Sequence, residues 1–102
     1  MTILTLATSY IMSNEVLAQT VEKVELENAK EHFVNGEYKQ AIRIYEQLLE
    51  NNPNSVSLLK MKAIALSNSD DDLNALKEFH KIIQQDPHNV IALTGMGVGF
   101  GN

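Results

Sequence analysis

From about residue 22 onward, apolar positions recur at three- and four-residue intervals. In residues 39–51, Ala41, Ile44, Tyr45, Leu48 and Leu49 fall at i, i+3, i+4, i+7 and i+8, a spacing that lines one face of a helix. Residues 73–85 repeat the pattern with Ala75, Leu76, Phe79, Ile82 and Ile83. Residues 24–34 and 56–67 read as two partner helices, and Leu59, Ala63 and Leu66 mark the inward face of the second.

The breaks between these segments have physical causes. Asn35-Gly36 ends the first helix, because glycine tolerates the left-handed conformation of a helix C-terminus. Pro53 and Pro87 follow helices that they cannot continue, lacking an N–H and clashing with the preceding turn. Asn54 or Ser55 can cap the third helix, and His88 or Asn89 the fifth. Ser69-Asp70-Asp71-Asp72 replaces the Asn-Gly turn in the second half, and its carboxylates suit a helix N-terminus. Such short loops force antiparallel helical hairpins.

The two halves echo each other. Ala29 pairs with Ala63, Ala41 with Ala75, Tyr45 with Phe79, Leu48 with Ile82 and Pro53 with Pro87, each 34 positions apart. A fixed period with the residue types in the same order is a repeat architecture, in which one unit cannot bury its apolar face alone.

Gly36-Glu37-Tyr38, Ala41-Ile42, Tyr45, Leu48 and Pro53 resemble the tetratricopeptide repeat, a family with about 34 residues per helix-turn-helix. The resemblance implies an all-α fold, an α-solenoid of stacked antiparallel helical hairpins in a right-handed superhelix, with about two and a half repeats. It divides the chain into residues 22–55, 56–89 and a third unit, 90–102, that holds helix A only. The family's small helix-A residue falls on Ala29, Ala63 and Gly97, and its turn glycine on Gly36. Its helix-B alanine falls on Ala41 and Ala75, its aromatic on Tyr45 and Phe79, and its closing proline on Pro53 and Pro87. Two positions depart from the pattern. Glu25 stands at a large apolar helix-A position that Leu59 fills in the second repeat, and Asp70 stands at the turn glycine. The first helix is therefore expected to pack less well than the third.

The ends raise separate questions. Gly95, Gly97, Gly99 and Gly101 cost a helix roughly 4 kcal/mol together, at about 1 kcal/mol each. Only Gly97 has a family reason to be small, the approach of a neighbouring helix. The C-terminus is expected to fray unless covered, since about three repeats are needed for stability. The chain is then either part of a longer array or a homo-oligomer joined through its C-terminal edge, where Leu93, Met96 and Phe100 lie. Residues 1–21 form an apolar leader. Residues 3–12 are mostly apolar and Val16-Leu17-Ala18 precedes Gln19, as in a secretory signal, yet nothing basic comes before Lys23. The alternatives are a signal remnant over residues 1–18, implying export, and a frayed leader or extra packing helix on a cytoplasmic protein.

Composition narrows the function classes. The 102 residues hold 8 basic and 13 acidic side chains, a net charge of −5, which disfavours nucleic acid and anionic membrane surfaces. There is no cysteine, so no disulfide or thiolate metal site exists. No run reaches the 18 or so apolar residues of an integral membrane span.

Candidate chemistry fails on context. The alternating glycines at positions 95–101 lack the strand and following helix of a dinucleotide fingerprint. Asp70-Asp71-Asp72 fits no register of a calcium loop. His32, His80 and His88 are far apart, and Gln84 holds the i+4 position from His80. No ordered base–nucleophile pair is visible. No catalytic residue, cofactor or metal is expected.

Function then rests on surface shape. In the family, helix A lines a concave groove that receives a peptide segment of a partner protein. Carried over by position, the groove residues are Leu26, Lys30, Phe33 and Val34, then Lys60, Met61, Ile64 and Asn68, then Thr94 and Val98. Methionine suits adaptable binding because it is unbranched and polarizable. Phe33, Val34 and Ile64 could equally pack between helices. One subclass grips a C-terminal carboxylate with lysines and asparagines. Lys60 sits at a clamp lysine, but Ile64 and Gly95 replace the asparagines, so that clamp is not supported.

Overall fold

A computed structural model describes residues 14–101, with side chains as far as Gly97. Five helices follow one another: α1 (Asn14–Val34), α2 (Tyr38–Asn51), α3 (Val56–Asn68), α4 (Asp72–Gln85) and α5 (Val90–Gly101). No strand occurs among the described residues. Each helix packs on the next in the sequence. The leader and third-unit readings at residues 1–13 and 102 lie outside the described residues.

The period seen in the sequence is repeated in the turns, bond for bond. Gly36 and Asp70 both take a left-handed backbone, with φ of 78° and 65°. In the first turn the Glu37 N–H donates to the His32 carbonyl at 2.8 Å, and the Gly36 N–H to Phe33 at 3.0 Å. In the second, the Asp71 N–H donates to Leu66 at 2.9 Å and the Asp70 N–H to Ser67 at 3.1 Å. This is the paired closure of a Schellman helix end, which satisfies carbonyls that have no partner within the helix.

The turns between hairpins match in the same way. Asn52 and Asp86 close α2 and α4, donating to Leu48 at 3.3 Å and Ile82 at 2.7 Å. The next helix is then capped by a side chain. Ser55 Oγ accepts from the Leu58 N–H at 3.3 Å, and Asn89 Oδ1 from the Ala92 N–H at 3.0 Å. Ser55 and Asn89 are therefore the caps, rather than Asn54 and His88. Asp71 caps α4 through the Asn74 N–H at 3.4 Å.

Two apolar clusters hold the stack. Ala29, Ala41, Tyr45, Leu48, Leu58 and Ala65 form one. Leu59, Ala63, Leu66, Ala75, Phe79, Ile82 and Ala92 form the other. Helix α3 contributes to both, so it is apolar on two sides and buries five residues. Helix α1 buries only Ala29. Glu25, polar at a position where Leu59 is 2% exposed, accounts for part of that difference.

Two details differ from expectation. Helix α1 begins at Asn14, upstream of residues 24–34, because Glu15, Leu17, Ala18 and Gln19 are good helix formers with no glycine or proline among them. The close approach on α5 is at Gly95, not Gly97. A Cβ at Gly97 meets nothing within 4 Å, whereas one at Gly95 would stand 2.7 Å from Cδ2 and Cζ of the Phe79 ring. Despite its glycines, α5 stays helical through Gly101.

Candidate interaction groove between α1 and α3

Helices α1 and α3 are the first helices of successive hairpins, and α2 lies beneath the seam between them. Two open depressions follow this seam. One, of about 370 Å³, is lined by Lys30, Phe33, Val34, Tyr45, Met61 and Ile64. The other, of about 460 Å³, includes Lys23, Leu26, Leu48, Asn52 and Leu58. Leu26 and Lys30 are one turn apart on α1, Leu58 and Met61 one turn apart on α3, and Tyr45 and Leu48 one turn apart on α2, so the depressions occupy consecutive turns of one groove.

The first depression is almost wholly apolar, and each wall has a reason to be fixed. Tyr45 forms the floor and is 2% exposed. Burial pushes its phenol above the usual value of 10, since the charged form would be poorly solvated. The Phe33 ring meets Tyr38 edge-on, with centroids 5.3 Å apart, which fixes its orientation. Met61 packs partly on the first cluster. Val34 projects into solvent at 82% exposure. The second depression is more polar, and Asn52 Nδ2 donates to Glu22 Oε1 across it at 3.1 Å.

Of the ten residues expected in the groove, Lys30, Phe33, Val34, Met61 and Ile64 meet in one depression, and Leu26 lies in the next. Phe33, Met61 and Ile64 are each half-buried, so they serve packing and lining together. Lys60 is half-buried one turn before Ile64, and Asn68 is exposed one turn beyond it. Thr94 is exposed on α5, away from both depressions, and the Val98 side chain lies outside the described residues. Tyr45 reads as structural in the sequence, and Lys23 lies outside the positions that the family pattern assigns to the groove. The seven-residue spacing from Lys23 to Lys30 would have placed both on one helix face.

Comparisons with known proteins agree with this architecture. A tetratricopeptide repeat family model matches residues 3–55, about half of the chain. The chain belongs to the tetratricopeptide repeat family. It is also similar to the photosystem I assembly protein Ycf3 of Prochlorococcus marinus, with 34% identity over 68 residues. That match takes in 63% of this chain and 39% of the relative, so the chain spans well under half the length of the curated protein it matches. Among the described residues, no helix of this tetratricopeptide repeat protein is long and apolar enough to cross a membrane.

Proposed function

We propose that this chain is a non-catalytic interaction scaffold that receives a segment of a partner protein in the groove between α1 and α3. The observation carrying the reading is the depression walled by Phe33, Val34, Met61 and Ile64 over Tyr45. Apolar side chains left open to solvent between two helices are what a docking site needs and a folded core does not. The similarity to a protein named for photosystem I assembly supports a scaffolding role.

A second reading draws on another observation. Val90 is 74% exposed on α5, and Ile91 and Leu93 are also exposed, so that face could join a second copy. Affinity capture from native extract separates the two. The bait is compared with the double variant Met61→Glu, Ile64→Glu, after its helicity is checked. Groove docking predicts partners that the variant loses. An unchanged partner set would sink the groove reading, and recovery of the bait alone with a concentration-dependent dimer in light scattering would favour the α5 face.

A further inference from the structure

We infer that the groove selects a segment presenting one bulky apolar side chain with an Asp or Glu side chain close beside it. The inference rests on the docking reading above and adds the partner's chemistry.

The internal repeat supplies the comparison. Each residue around the α1–α3 seam has an equivalent 34 positions later, around the α3–α5 seam. Tyr45 becomes Phe79 and Met61 becomes Gly95. Phe33 becomes Ser67 and Val34 becomes Asn68. At the second seam Gly95 lets α5 close onto the Phe79 ring, leaving no room even for a methyl group. At the first, Met61 stands at the equivalent position and the space beside Tyr45 stays open. An open depression of about 370 Å³ has room for a large apolar side chain such as Leu, Phe or Trp. The apolar recognition point is the one beside Tyr45.

The charges follow the same asymmetry. Lys23 and Lys30 lie seven residues apart on α1, and each lines one depression. Lys60 lies one turn before Ile64 on α3. Their equivalents at the second seam are Ser57, Ile64 and Thr94, none of them charged. Lys23 and Lys60 make no ion pair among the described residues, and Lys30 reaches only the exposed Glu27, at 3.7 Å. Glu22, the acid beside Lys23, is engaged by Asn52. In a chain of net charge −5, Lys30 at the apolar depression, Lys23 at the adjoining one and Lys60 one turn before Ile64 contribute a local positive field along the groove. An acidic flank on the incoming segment meets that field, and a basic flank is repelled by it.

The test is a display selection of random 12-residue peptides on the full chain. It is run in parallel on Lys23→Gln/Lys30→Gln/Lys60→Gln and on Ile64→Asp, each first shown to be helical. The expected winners carry a bulky apolar residue with Asp or Glu within about four positions. The triple variant should keep the apolar preference and lose the acidic one, and should bind the winning peptide about tenfold more weakly, from several rim charges acting together. Ile64→Asp should enrich neither. Winners with a bulky apolar residue and neutral or basic flanks would overturn the inference and leave the docking reading standing. Winners that Ile64→Asp enriches equally would overturn both.

Discussion

Gly36 and Asp70 lie one repeat apart and share the same left-handed backbone, the same two closing hydrogen bonds and the same place at the end of a first helix. One residue type suits that backbone freely and the other occupies it at a cost of about 1–2 kcal/mol, reduced for Asp by its short polar side chain. Asp70→Gly should therefore stabilise the chain by about 0.5–1 kcal/mol, and Gly36→Ala should destabilise it by about 1–2 kcal/mol. Urea unfolding midpoints check both. A destabilising Asp70→Gly would mean that the aspartate side chain, not the backbone, holds the second turn.

The glycines of α5 should separate by what stands beside them. Gly95→Ala drives a methyl group into the Phe79 ring and should cost about 1–3 kcal/mol. Gly97→Ala meets nothing and should gain up to about 1 kcal/mol from helix propensity alone. Thermal unfolding of the two single variants reads the difference directly. Equal effects would contradict the close approach of α5 to α4.

Much of the fold was legible because the same physics acts twice, 34 residues apart. The helix faces followed from Ala41, Tyr45 and Leu48 and their counterparts, and the breaks from Gly36, Pro53 and Pro87. Other features were hidden for reasons that can be named. Single-letter spacing cannot tell whether Gly95 or Gly97 faces the ring, because that depends on the rotation of α5 about its axis. Glu25 foretold the shallow burial of α1, whereas its start at Asn14 comes from helix propensity between Glu15 and Gln19 rather than from apolar spacing. In the groove, Phe33, Met61 and Ile64 were visible as helix-A positions. Their meeting over Tyr45 was not, since Tyr45 reads as core in sequence and becomes a floor only when the hairpins stack.

A buried ion pair ties the hairpins together on the side away from the groove. Lys62 Nζ stands 3.2 Å from Glu78 Oε1 and 3.5 Å from Glu46 Oε2, linking α3 to α4 and α2. The Lys62 and Glu78 side chains are only 16% and 7% exposed, and Glu78 Oε2 has no partner. Lys62→Met leaves the Glu78 carboxylate only the exposed Lys81, whose Nζ stands 3.4 Å from Oε1, so it should cost about 1–3 kcal/mol, whereas Lys62→Met with Glu78→Met should recover most of that loss. Chemical denaturation of the single and double variants measures the coupling. An additive double variant would contradict it.

Tyr45 gives a pH dependence of defined sign. Burial raises its phenol above 10, so the neutral form is the one that the fold favours. The associated stability is complete below the unfolded value near 10 and is lost as pH rises through the higher folded value. Urea midpoints between about pH 8 and 11 should fall more steeply for the wild type than for Tyr45→Phe, which keeps the ring and removes the titrating group. Parallel curves would show that Tyr45 ionises without penalty.

The most direct test of the groove is methyl-resolved NMR of the full chain, titrated with a peptide recovered by display. The account predicts shifts confined to Val34, Met61 and Ile64, with Val90, Ile91 and Leu93 unmoved. Shifts concentrated on Val90, Ile91 and Leu93, with Met61 and Ile64 unchanged, would contradict it.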